Sequence, residues 1–270
     1  MTQMDQDFPA NPIDKPGYRL AWNDEFEGPE LDTSKWLPYY LPQWSSRERS
    51  APTYTFKNGM LVLQITAEQR PWCPEFDGAV KASSIQTGLF AGPVGSRLGQ
   101  LRFSDDLVVR EAQKNVQLYT PQYGYFECRA KGVNTPGNHV SLYMIGYEDT
   151  PEKCGEINMF EIFGQDVNAA STTVCYGIHP WKDPNLVDEF YRNVLDIDAT
   201  KFHIYAYEWT PTHVDFYVDN RKIRRIDQSP QYPMQFMLAI YELPGGDTKA
   251  AYPREFVVDY VRGYQPEGGY

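Results

Sequence analysis

Cysteine is scarce in this chain. Cys73, Cys128, Cys154 and Cys175 are the only four in 270 residues, too few and too scattered for a disulfide framework or a zinc site. Cys128 and Cys175 read as free thiols inside strands. Histidine is as sparse, and His139, His179, His203 and His213 show no metal-ligand spacing. Positive charge is in deficit: 25 Lys and Arg stand against 36 Asp and Glu, a formal charge of −11. That balance argues against nucleic acid or an anionic membrane as a partner. No apolar run approaches the roughly 18 residues of a membrane span. The N-terminus, M-T-Q-M-D-Q-D-F-P-A-N-P, lacks the basic and apolar regions of a secretory leader. There is no N-x-[ST] sequon, no G-x-S-x-G elbow and no Cys–His nucleophile context. The Gly-rich stretch 88–99 lacks the Lys-Ser/Thr of a phosphate loop, which removes nucleotide binding.

Aromatic residues are plentiful, at 15%, within a hydrophobic total of 41%. That supports a sizeable core and leaves aromatic surface to spare. Pro9, Pro12 and Pro16 mark residues 1–16 as a loose tail, and 17–270 suit one large domain. Short strands are expected at 18–26, 53–57, 60–66, 80–87, 123–131, 139–146, 156–163, 172–178, 202–209, 213–219, 222–226, 234–241 and 256–264. Asn58-Gly59 and Asp219-Asn220 supply hairpin turns, because these residues tolerate positive φ. Residues 183–194 are the best candidate for a short helix. Many short strands without αβ alternation mean an all-β sandwich or barrel.

The stretch Cys154–Gly164, C-G-E-I-N-M-F-E-I-F-G, reads as a buried strand with anomalous glutamates. In a flat strand Glu156 and Asn158 share one face, and Glu161 falls on the apolar face with Ile157 and Met159. A lone carboxylate buried there costs several kcal/mol or is forced neutral. One extra residue at Met159–Phe160, a bulge, brings Glu156, Asn158 and Glu161 to one side. Two glutamates so placed can bring their carboxyl groups to about 5–6 Å, the separation of a retaining glycosidase pair. Spacing alone leaves open a solvated strand face with scattered charge.

This E-x-[D/N]-x-x-E strand resembles the active-site signature of glycoside hydrolase family 16, in its laminarinase-like branch. Supporting segments run from W-N-D-E-F (22–26) through Y-G-Y-F-E-C-R-A-K (123–131), F-H-I-Y-A-Y-E-W-T-P (202–211) and V-D-F-Y-V-D (214–219) to V-D-Y-V-R (258–262). The resemblance implies a jelly roll of two curved antiparallel sheets, concanavalin A-like, whose concave face is a glycan cleft. It implies a retaining endo-glycosidase acting on a β-linked polysaccharide, with β-1,3-glucan as the expected substrate; a monomer is expected. Glu156 becomes the nucleophile and Glu161 the acid/base, whose pKa a neighbouring carboxylate and partial burial should raise.

Three positions depart from the family pattern. Asn158 stands where Asp is usual, and Cys175 where a histidine is common near the acid/base. In G-N-H-V-S-L-Y-M, His139 and Tyr143 replace tryptophans that line the cleft. Asn158 and Cys175 keep open the alternative of a non-catalytic glycan-binding protein on the same scaffold. Loop aromatics Tyr40, Trp44, Trp72, Trp181 and Tyr241 are candidate sugar platforms, and Arg47 and Glu48 could reach hydroxyls. No cofactor is expected for catalysis. The resemblance also implies a structural calcium held by Glu25, Gly59 and Asp259.

Overall fold

The computed structural model describes residues 6–246 and 249–270. The strands of its N-terminal half are β1 (Tyr18–Asp24), β2 (Thr53–Lys57), β3 (Met60–Ile65), β4 (Lys81–Gln86), β5 (Gly88–Leu89), β6 (Val116–Gln117), β7 (Gly124–Lys131) and β8 (Asn138–Gly146). Those that follow are β9 (Glu156–Phe163), β10 (Thr172–His179), β11 (Glu189–Leu195), β12 (His203–Trp209), β13 (Val214–Val218), β14 (Arg221–Ile226), β15 (Met234–Glu242) and β16 (Arg254–Pro266).

An eight-stranded antiparallel sheet runs β14-β13-β12-β7-β16-β3-β2, with β1 also paired to β16. A six-stranded one runs β11-β10-β9-β8-β15-β4. Alternation along each strand sends apolar side chains between the sheets: Phe126, Cys128 and Ala130 of β7 meet Ile157, Phe160 and Ile162 of β9 in one core. The result is a jelly roll. Asn58-Gly59 and Asp219-Asn220 turn their hairpins with positive φ at both residues, the backbone a two-residue turn needs.

Loops build a second core on the outer face of the six-stranded sheet. Tyr40, Leu41, Trp44, Trp72, Leu101, Leu107 and Val109 cover Tyr143, Ile145, Met237, Ala239 and Tyr241. This cover hides one part of the face, and the residues of β9 and β10 beside it form the site described below.

One expectation fails. Residues 183–194 hold turns and then β11, whose side chains are only half covered at the sheet edge, so alternation there is weak and its charges mimic a helix. Residues 6–16, expected as a tail, make hydrogen bonds to the eight-stranded sheet and the turn before β12. Phe8 donates its N–H to the Phe202 carbonyl (2.7 Å), Arg129 donates to the Phe8 carbonyl, and Asn11 donates to Glu127 (3.0 Å). The segment adds hydrogen bonds to Glu127 and Arg129, outward-facing groups of β7 that also pair with Arg262 and Asp259. Residues 1–5 lie outside the described residues.

Candidate active site

β9 lies between β8 and β10, and its register slips at one residue. Tyr143 pairs with Asn158 and Leu142 with Phe160, so Met159 is the extra residue of a bulge. The same slip shows against β10, where Gly177 faces Asn158 and Cys175 faces Glu161. Ile157, Phe160 and Ile162 therefore stay in the core, while Glu156, Asn158 and Glu161 share the outer face. Gly177 has φ +145, and a Cβ there would meet the Glu189 carbonyl oxygen at 2.2 Å. Only glycine passes between Asn158 and β11.

Asn158 joins the two acids. Its Nδ2 donates to Glu156 Oε1 at 2.7 Å and to Glu161 Oε1 at 3.1 Å. Those lengths together hold the two oxygens within about 6 Å of each other, in the range of a retaining pair. The indole of Trp181 donates to Glu156 Oε2 at 2.9 Å. Trp181 itself is 43% exposed and has φ +50, so the loop after β10 presents a large aromatic face to solvent above a buried carboxylate.

The electrostatics depart from the expectation that Glu161 carries the raised pKa. Burial, then the charge of Glu161, pushes the Glu156 carboxyl up to about 7 against the donated hydrogen bonds. Burial also works to raise Glu161, yet His139 and the Asn158 amide outweigh it and leave that carboxyl below its usual value. Two carboxylates this close hold one proton between them near neutrality, and the free protein favours it on the more enclosed Glu156.

His139 is the imidazole beside Glu161. It is stacked between Phe163 and Tyr241, with ring centroids 4.6 and 4.7 Å away. Its Nε2 lies 3.7 Å from Glu161 Oε1, beyond hydrogen-bond length but close enough for a charge interaction. Cys175 sits opposite Glu161 on β10, buried, with its thiol pushed up to about 11 by desolvation. It stays protonated and neutral, so the imidazole support comes from β8 instead.

The structure brings Glu156, Asn158, Glu161, Trp181 and His139 together, and it sets the other candidates apart. Tyr143 and Tyr241 lie close by, but their rings are buried and their hydroxyls share a 3.0 Å hydrogen bond. Trp44, Tyr40 and Trp72 belong to the loop-covered core, with the Trp44 indole bonded to the Gln100 carbonyl. None of these offers a free ring face to a sugar. Arg47 is exposed and ion-paired with Glu111 at 3.1 Å, and Glu48 is an exposed neighbour on the same short helix. Neither has a recorded contact with the paired acids.

The residues implied as calcium ligands are otherwise engaged. Glu25 forms a two-pronged pair with Arg262, at 2.8 Å for each contact, and Asp259 pairs with Arg129 at 2.7 Å. Gly59 is the second residue of the β2–β3 turn. Guanidinium groups supply the positive charge that a cation would bring, and among the described residues no group of three or more His, Cys, Asp or Glu converges as a metal site.

One site residue was passed over in the sequence. His179 pairs across the strands with Glu156 and stacks on Phe190. Alternation from Cys175 through Gly177 places His179 on the same face, so the signal was present in the sequence.

A jelly roll with two acids bridged across a bulged inner strand defines a glycoside-cleaving class of protein. The description "Glycosyl hydrolases family 16" matches residues 113–262, more than half of the chain, and the chain belongs to that family. It resembles a solved Clostridium perfringens endo-β-galactosidase that releases GlcNAcα1-4Gal, with 38% identity and a TM-score of 0.87 over 98% of this chain and 66% of that one. A laminarinase from Flavobacterium sp. UMI-01 shares the fold, at 22% identity and a TM-score of 0.62 over 92% of this chain and 100% of that one. A β-glucanase of Acetivibrio thermocellus is 28% identical over 153 residues, 54% of this chain. The chain spans 43% of that relative's length.

Proposed function

We propose that the protein is a retaining endo-glycosidase in which Glu156 attacks the anomeric carbon and Glu161 protonates the departing oxygen. The observation that carries this is the Asn158 amide, whose one nitrogen reaches both carboxylates and fixes their separation. Attack by Glu156 forms the glycosyl ester as the glycosidic C–O bond breaks and Glu161 gives up its proton. Glu161 then takes a proton from water, which opens the ester with net retention. The reaction needs the proton on Glu161 rather than Glu156. A bound glycan favours that shift, because its glycosidic oxygen can only accept a hydrogen bond from Glu161. His139 favours the charged form of Glu161 once that proton is gone.

Asn158 keeps the geometry of the usual aspartate without its charge. The amide serves as a donor to both acids, so this departure is compatible with turnover rather than with a silent binding protein. For the substrate, we place a β-linked galactose-containing glycan ahead of β-1,3-glucan. Support comes from similarity to the C. perfringens endo-β-galactosidase along nearly the whole chain, against a fold-level likeness to the laminarinase. The replacement of cleft tryptophans by His139 and Tyr143 points the same way, since it removes a stacking platform of the glucanase pattern.

The test is reducing-end release on laminarin, mixed-linkage glucan and galactose-containing glycans, with the anomer of the first product read by NMR. Cleavage of a galactan-type substrate with retained configuration is expected, and Glu161→Gln should abolish it on substrates with a poor leaving group. Inverted product, or release that persists in both Glu156→Gln and Glu161→Gln, rejects the mechanism. Release from laminarin alone rejects the galactoside preference.

A further inference from the structure

Beside the paired acids lies a cavity of about 170 Å³ that the mechanism does not use. The indole of Trp181, the one that donates to Glu156, forms part of its wall with Leu98, and the buried carboxyl of Glu148 lines it. Arg97, Arg102 and Lys182 also line it. Three cations on one small cavity are unexpected in a chain of formal charge −11.

One exposed carboxylate answers these three cations, which leaves the cavity with an excess of positive charge. Among the described residues Asp105 is the one carboxylate ion-paired with these cations, at 2.6 Å from Lys182 and 3.4 Å from Arg102, and it is not among the lining residues. Arg97 feels Asp105 only through charge, with no ion pair among the described residues; Arg102 Nη2 donates to the Asp105 carbonyl at 2.7 Å, while its Nε is buried without a hydrogen-bond partner. Glu148 does not restore the balance. Its Oε1 accepts from the Leu101 amide at 2.5 Å, and burial pushes the carboxyl up to about 8, so near neutrality it is mostly uncharged and able to donate.

We propose that this cavity is a subsite for a sugar bearing an anionic group, a sulfate ester or a carboxylate, gripped by Arg97, Arg102 and Lys182 while the ring packs against Trp181. Guanidinium and ammonium groups together suit a tetrahedral or planar oxyanion, and the apolar wall suits the C–H face of a pyranose. The preference would read the decoration of the glycan one wall away from the bond being cut. Its place in catalysis rests on the endo-glycosidase reading above; the binding itself does not.

Calorimetric titration of the intact protein with N-acetyllactosamine, its galactose-sulfated form and its sialylated form tests the proposal without turnover. One anionic form should bind on the order of tenfold more tightly than the neutral one, and that margin should shrink as salt is raised. Whether the sulfated or the sialylated form wins identifies the group. The Arg97→Ala/Lys182→Ala double variant should bring the ratio close to one. Lys182→Arg should keep it, as should Lys153→Ala, whose lysine pairs with Asp149 and is not among the lining residues. Equal binding of neutral and anionic forms, no measurable binding of either anionic form, or a preference that survives in the double variant overturns the subsite. A charge preference with no cleavage of any glycan would instead reject the enzyme reading and leave the subsite standing.

Discussion

Glu127 of β7 and Glu156 of β9 are both almost wholly buried carboxylates on the outer faces of their sheets, and they are held in opposite ways. Glu127 meets a cation: Arg262 Nη1 lies 3.4 Å away, Asn11 donates from the other side, and Arg262 also grips Glu25. Asp215 on the same sheet is likewise held by Arg225 and Lys222. Glu156 meets another carboxylate and two neutral donors, and among the described residues no lysine or arginine forms an ion pair with it. Nearby on that face, both ring nitrogens of His139, the Ser141 hydroxyl and the Asn158 Oδ1 are buried without hydrogen-bond partners. Buried polar groups without partners cost stability unless something else meets them, and a ligand is one way to do so. The buried acids of the eight-stranded sheet are settled for the fold, and those on β9 of the six-stranded sheet are left unsettled for chemistry.

That contrast can be broken by exchanging the consequences. Glu156→Gln should cost activity on the order of 10⁴-fold or more while leaving the protein as stable as before, or more so above neutral pH. A chemical-denaturation curve beside a rate measurement checks this; a large loss of stability would mean that Glu156 is structural. Arg262→Met should do the reverse. Leaving Glu127 buried without its cation should cost about 3–5 kcal/mol in unfolding free energy, with specific activity per folded molecule nearly intact.

Asn158→Asp sharpens the comparison through pH. With one proton shared by the pair, kcat/KM should fall as pH rises through about 7, where Glu156 gives up the last proton. A third negative charge disfavours ionisation of its neighbours, so this variant should move the alkaline limb upward, by roughly one unit. An unmoved limb would show that position 158 does not tune the pair.

The smallest effect is expected at Glu148. Its folded carboxyl keeps a proton up to about 8, whereas the unfolded chain releases it near the ordinary glutamate value. Over that window the unfolded state binds fewer protons, so stability falls as pH rises. Glu148→Gln removes this titration and still offers an oxygen to the Leu101 amide. Its melting temperature should exceed the wild-type value by a few degrees at about pH 9 and differ little at about pH 5. Parallel curves for the two proteins would show that the carboxyl is not held neutral.

Much of the site was legible because burying a charge is expensive. A strict two-residue period put Glu161 in the core, and that cost pointed to a bulge, which the register places at Met159. The roles of Trp44, Tyr143 and Tyr241 were not legible. An aromatic ring looks the same in sequence whether a sugar or a loop covers it, and the loops holding Tyr40, Trp72 and Leu101 come from distant parts of the chain. The contacts of the N-terminal segment were hidden for a similar reason, since its partners Phe202, Glu127 and Arg262 lie more than a hundred residues away.

By itself the sequence determined most of the strands, the hairpin turns and which side of β9 carries the acids, because alternation, positive-φ tolerance and the cost of a buried charge act over a few neighbouring residues. Tertiary structure alone decided which acid is the more enclosed, that His139 rather than residue 175 supplies the imidazole, and that cations gather beside Trp181. Those outcomes depend on how far burial and facing charges reach across strands and loops, and such distances exist only once the chain has folded.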